Sequence, residues 1–348
     1  MKKIALLLLM FIGSYSYSQS GGLQFFITHE NDFLGLNNRD ENYTGGLNLE
    51  FVFKEINVWQ PFFRFSNGTN YQTISLGGLG YTPRDLEATE VLYDDRPYSS
   101  LVYFSLGKLA MSADGKSSIS SKLFFGLVGS SGPGKIQYFL HDVNAFGSTR
   151  PNPNGWNNQI GFDGAFIMNY NIRYLRSLLD LNSEKTVNYF KPKLMLGGAL
   201  GSYMINVDAG LFLELLNINA YPTLGINNVV MPLNKVDGGS RRNKNFRLNL
   251  YMRPKVRYVG YNTALEGLLF NDNSVHKIAR EDMERFIFEF DAGVNLLIAN
   301  RFYLKYALSL RTKEYINGKD VHFWGGITLG VSPEGWFVSS DSIPKEKD

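Results

Sequence analysis

Phe286, Phe288, Phe290, Ala292, Val294 and Leu296 recur at every second position, with Glu289, Asp291 and Asn295 between them. Side chains of a strand point alternately to its two faces, so this stretch has one apolar face and one that carries full charges. In 301–311, Phe302, Leu304, Tyr306, Leu308 and Leu310 likewise oppose Arg301, Lys305 and Arg311. In 246–253, Phe246, Leu248, Leu250 and Met252 oppose Arg247, Asn249, Tyr251 and Arg253. In 47–53, Leu47, Leu49, Phe51 and Phe53 oppose Asn48 and Glu50. Two architectures accept such strands. A soluble sandwich turns the apolar faces inward, whereas a membrane barrel turns them to lipid and keeps charge in its lumen. Alternation alone does not choose between them.

Strand length and number favour the barrel. A strand crosses a bilayer at a tilt in about nine to eleven residues. Segments of that order lie near 22–30, 44–54, 70–80, 98–110, 119–129, 158–174, 188–198, 200–216, 245–258, 285–298, 301–312 and 321–331. Twelve is an even number, and the links differ greatly in length: 299–300 is tight, while 129–158, 217–245 and 259–284 are long. The expectation is therefore an all-β fold, a transmembrane antiparallel barrel of about 12 strands. No internal repeat or second domain interrupts it, so it is expected to occupy 19–338, with a disordered tail at 339–348.

The first residues read as an address. Lys2 and Lys3 precede the apolar run Ile4–Ile12, and a cut near Ser18–Gln19 would remove 1–18 as a secretory signal peptide. No later run approaches the roughly 20 apolar residues of a spanning helix. Aromatics at 14% and 35 glycines suit strands, turns and a membrane interface. The chain has no cysteine, which excludes disulfides, thiolate metal sites and a cysteine nucleophile. A net charge of +3 without a basic block argues against nucleic acid as a partner.

One segment departs from the strand pattern. In SGPGKIQYFLHDVNA at 131–145, a Gly/Pro-rich start precedes Lys135–Val143, which can form two or three helical turns. Gln137 and His141 would then share a face. A helix inside a long barrel link suggests a lid or a site wall.

The candidate chemistry is sparse. There is no GxSxG elbow, and none of His29, His141, His276 and His322 has zinc-ligand spacing with another. HEND at 29–32, followed by Asn37, Asn38, Asp40, Glu41 and Asn42, is rich enough in oxygen to suit Ca²⁺, although the same residue types build turns. Arg96 in DDRPY at 94–98 reads as structural, paired with Asp95 inside the lumen, and Trp156 as an interface aromatic.

Several short motifs nevertheless occur in one order. They are Asn31-Asp32, Asp40 with Tyr43-Thr44-x-Gly46, Tyr81-Thr82-Pro83, Asp95-Arg96-Pro97-Tyr98, Val128-Gly129-x-x-Gly132-Pro133, Gln137 with His141, and Trp156-x-x-Gln159. Over 22–160 the chain thereby resembles the outer-membrane lipid A 3′-O-deacylases and their relatives of unassigned function. The resemblance implies a twelve-stranded, monomeric outer-membrane barrel. It implies a site between the barrel wall and a short helix, and a calcium-dependent esterase acting on lipid A or lipopolysaccharide. Carried over, Asn31 and Asp32 would hold calcium and the site wall, Thr44 would be a site hydroxyl, and His141 would activate the attacking water. The chain departs from the family pattern in two places. No Glu follows His141 within 142–154, and Arg84 is the nearest cation where the family places an oxyanion-supporting Lys.

Overall fold

The computed structural model describes residues 23–35, 41–54, 62–143, 151–179, 187–218, 246–270, 272–299 and 301–332. The expected signal segment and tail lie outside these residues. Twelve strands form: β1 (Gln24–Asn31), β2 (Asn42–Lys54), β3 (Thr69–Thr82), β4 (Ser99–Met111), β5 (Ser117–Val128), β6 (Ala165–Ser177), β7 (Val187–Gly201), β8 (Met204–Ile218), β9 (Phe246–Asn262), β10 (Phe286–Ile298), β11 (Phe302–Thr312) and β12 (Val321–Val331). Each pairs antiparallel with its neighbours in sequence, and β1 pairs with β12, so the sheet closes as a barrel without an edge.

The alternation resolves in favour of the membrane. Leu76, Phe166, Leu200, Phe286 and Leu329 stand exposed on the outer wall, while the intervening charges point inward. A sandwich would have buried the first set. Among the described residues, no helix is long and apolar enough to cross a membrane. The lumen satisfies its charges internally: Lys122 meets Glu50, Lys193 lies 2.8 Å from Glu214, and Arg253 lies 2.9 Å from Asp291. Glu289 gathers Lys255 at 2.6 Å, Arg257 at 2.9 Å and Arg311 at 3.2 Å. Toward one end of the barrel, Phe26, Val52, Tyr71, Leu109, Leu297 and Tyr303 belong to an apolar plug across the interior. That end receives both the tight β10–β11 turn and the 219–245 link, whose residues lie outside those described.

The opposite mouth is capped. Tyr315 packs with Leu265, Ile278 and Met283. Asp95 ties the β3–β4 link to this cap: its carboxylate accepts the Tyr315 hydroxyl at 2.7 Å, and its carbonyl oxygen lies 2.7 Å from His276 Nε2. Burial pushes the Tyr315 hydroxyl up from its ordinary pKa, so the phenol donates as the neutral form. Arg96 is structural as expected, but its guanidinium reaches Glu314 at 3.5 Å and covers the Tyr81 ring. Asp95 instead accepts the Arg96 backbone amide at 2.7 Å.

Several boundaries differ from the sequence reading, and two of them have a clear local cause. Helix α1 spans Ser131–Asp142, four residues earlier than its expected start at Lys135, because Ser130 caps it and accepts from the Gly132 amide. Pro133 is harmless in the first turn, where its missing N–H has no intrahelical partner to lose. Strand β6 begins at Ala165 and not near 158, because Trp156–Asn158 form a 3₁₀ turn and Gly161, Asp163 and Gly164 take positive φ.

Candidate active site

The link from β5 to β6 folds α1 back onto the outer wall of β3 and β4. Gly129 starts this return at φ +79°, and a Cβ there would stand 1.7 Å from the Gly161 carbonyl oxygen, so only glycine fits. Gln159 then anchors the far side of the link, its Oε1 lying 2.7 Å from the Ser100 hydroxyl. Gly134, Gln137 and His141 form the buried face of α1. Gly134 receives the Trp156 indole, whose Nε1 donates to Gln137 Oε1 at 2.9 Å. Trp156 is thus the joint between helix and wall. Tyr138 and Phe139 remain exposed on the other faces of α1, and Val143 just past its end, the arrangement of a helix lying in lipid.

Between α1 and the wall runs an open groove. Leu47, Leu49, Leu76, Val102, Ile136 and Leu140 give it an apolar body. His29, Asn31, Thr44, Gln137, His141 and Trp156 supply its polar groups. Asn31, Thr44 and His141 are distant in sequence and meet here. A β-bulge between Tyr43 and Gly45 lets Thr44 leave the regular register. The Thr44 hydroxyl lies 2.5 Å from that of Thr82, and the Thr44 carbonyl accepts from Asn31 Nδ2 at 2.8 Å. His141 Nδ1 lies 2.7 Å from the Pro151 carbonyl oxygen, an acceptor that fixes the proton on Nδ1 and the lone pair on Nε2.

Two expected site residues do not line the groove. The Asp32 carboxylate is wholly buried and accepts the backbone amides of Phe33 at 2.8 Å and Glu41 at 3.0 Å, so it braces the β1–β2 link. Arg84 is exposed on the β3–β4 link, where its hydrogen bond to Asp94, and then the charge of Asp95, raises its pKa further. Conversely, Gln137 and His29 line the groove without having been singled out as site residues. The four-residue spacing to His141 was the available signal for Gln137.

Calcium needs roughly six to eight oxygen ligands. Among the described residues no three His, Asp or Glu side chains converge on one point. Asn31 Oδ1 already accepts the Phe33 amide at 2.8 Å. Among the described residues, acidic side chains and histidines alone therefore do not form a calcium cage.

A closed barrel with an ion-paired lumen, an apolar outer wall and a polar-ended groove on that wall defines an outer-membrane barrel with a site on its lipid side. The family described as outer membrane protein LpxR matches residues 4–332, and the chain belongs to it. The fold is similar to that of LpxR from Salmonella typhimurium, with a TM-score of 0.68 at 14% identity over 88% of this chain and 99% of that one. The β domain of the Bordetella autotransporter BrkA aligns at a TM-score of 0.41 and 10% identity, over 90% of this chain and 99% of that one. No curated protein matches the chain. The molecule is a lipid A deacylase-like barrel of the outer membrane.

Proposed function

We propose that the protein is an outer-membrane esterase that hydrolyses an ester-linked acyl chain of lipid A, the 3′ chain by family resemblance. The observation that carries this reading is the groove itself: an apolar channel on the lipid-facing wall that ends at His141, Thr44 and Asn31. An acyl chain entering from the outer leaflet would lie along the channel with its ester among these polar groups.

His141 Nε2 then takes a proton from water as the water oxygen attacks the ester carbonyl carbon. The Pro151 carbonyl orients the imidazole through Nδ1. In this reading the Thr44 hydroxyl, with Thr82 as its partner, donates to the developing oxyanion, a type of interaction typically worth about 3 kcal/mol of transition-state stabilisation. When the tetrahedral species collapses, the carbon–oxygen bond to the sugar breaks. The imidazolium returns its proton to that oxygen, releasing a fatty acid and a free hydroxyl. The calcium implied by the resemblance is tested by adding and chelating the ion.

One observation favours a second reading, a barrel that binds lipid without hydrolysing it. His141 Nδ1 meets a neutral backbone carbonyl, and 142–154 contains no Glu where the family pattern has one, with Asp142 beside the His as the candidate substitute. Purified protein incubated with lipid A in detergent separates the two readings. Release of one fatty acid per lipid A, lost in His141→Ala, supports the esterase; retention of every acyl chain by folded protein supports the binder.

A further inference from the structure

Strand β3 carries Gly77, Gly78 and Gly80, and glycine inside a strand usually marks a place where something else comes close. Two of the three are explained by the protein. Gly77 lies under Tyr103: a Cβ would meet the ring at 2.5 Å. Gly80 lies under Trp156: a Cβ would meet the indole at 3.3 Å. Gly78 is different. A Cβ there would have the Leu101 carbonyl oxygen at 3.6 Å and Val102 Cγ2 at 3.9 Å as its nearest neighbours, which is ordinary contact. Among the described residues, no atom requires glycine at this position.

The surroundings suggest what does. Gly78 sits on the outer wall between Leu47 of β2 and Val102 of β4. Two residues toward the plugged end, the next row is Leu49, Leu76 and Phe104. Two residues toward α1 lies Gly80, beneath Trp156. The β3 column from Gly80 to Gly78 therefore has no side chains, is walled by Leu47 and Val102, and stops at Leu76. Its upper end opens among the polar groups of the groove.

We propose that Gly78 is the floor of an acyl-chain trough, and that the absent side chain sets the length of chain the groove accepts. The proposal rests on the esterase reading for its substrate, lipid A. From Gly80 to Leu76 the strand spans about 13 Å. An extended chain advances about 1.3 Å per methylene by tetrahedral carbon geometry, and the Trp156 indole covers the Gly80 end, so the trough holds at most roughly ten methylenes. A leucine at 78 would fill the trough without pressing on the barrel.

The test uses full-length protein in detergent and a lipid A analogue whose ester-linked chain, of about 14 carbons, ends in a photoreactive diazirine. Labelled residues are mapped by mass spectrometry in the parent, Gly78→Ala, Gly78→Leu and, as a roomy position on another wall, Gly260→Leu. Folding is checked by the heat-dependent shift of the barrel on gels. We expect label on Leu49, Leu76 or Phe104 in the parent. It should fall modestly in Gly78→Ala, at least about tenfold in Gly78→Leu, and not in Gly260→Leu. Analogues with chains of about six carbons should bind Gly78→Leu and the parent alike. Unchanged labelling in folded Gly78→Leu, or label outside the trough in the parent, would overturn the proposal. So would equal labelling by a tagged phospholipid of the same length that ignores Gly78→Leu, since the trough would then be ordinary bilayer contact. Labelling in the trough with every ester left intact would remove the esterase reading and leave the trough standing. Hydrolysis equal in parent and Gly78→Leu would do the reverse.

Discussion

His141 Nδ1 lies 2.7 Å from the carbonyl oxygen of Pro151, so the imidazole that faces the groove also ties α1 to the chain returning toward Trp156. This hydrogen bond helps both to orient the ring and to hold the helix end. We expect His141→Ala to lower deacylation by about a hundred- to ten-thousandfold, the usual contribution of a general base. Because α1 lies outside the strand ladder, the heat-modifiable mobility of the barrel should not change. Equal turnover by parent and variant would remove His141 from the chemistry.

Gly134 faces the Trp156 indole so closely that a Cβ would stand 2.7 Å from Trp156 Cγ. In Gly134→Val the helix must lift or the indole must move. Overpacking of this kind typically costs about 1–3 kcal/mol. We expect turnover to fall about tenfold or more, with the barrel melting as before. Cysteine cross-linking between α1 and β3 would report the same displacement. Parent-like activity and cross-linking would mean that the helix–wall distance does not matter.

Tyr315 donates to Asp95 at 2.7 Å and accepts the Arg96 amide at 3.0 Å, joining two links over the mouth. Tyr315→Phe leaves these buried groups without that partner, at a cost of about 1–3 kcal/mol. Hydrogen exchange of the 83–98 link should accelerate, while the strands remain protected. Unchanged exchange would show that the apolar cluster alone holds the cap.

Glu289 balances Lys255, Arg257 and Arg311 inside the lumen. Glu289→Gln leaves buried cations in excess, and removing one partner of such a set typically costs about 3–5 kcal/mol. The temperature at which the folded band disappears on gels should drop clearly, while turnover per folded molecule stays the same, since the groove is on the other side of the wall. A parent-like midpoint would indicate that lumen water screens these charges.

The barrel was legible because a bilayer imposes a pattern on every strand. Phe288, Glu289 and Phe290 announce an outer and an inner face without reference to any other segment. The start of β6 was misplaced because Trp156–Asn158 look continuous with a strand in sequence, whereas they form a 3₁₀ turn and Gly161, Asp163 and Gly164 take positive φ. The site was legible only through resemblance. Asn31, Thr44 and His141 meet across three separate elements, and neither the bulge at Thr44 nor the fold-back at Gly129 has a periodic signature. Arg84 was the nearest cation in sequence, but the β3–β4 link directs it to Asp94. Gly78 was invisible for a different reason: its meaning lies in the space beside it.

The most direct test is the mass spectrum of lipid A from cells that carry the protein in their outer membrane, compared with cells carrying His141→Ala at equal folded abundance, with calcium supplied or chelated. We expect the parent to remove the mass of one ester-linked acyl chain and His141→Ala to leave lipid A intact. Lipid A of identical mass from both, at either calcium level, would contradict the esterase reading and leave a lipid-binding barrel.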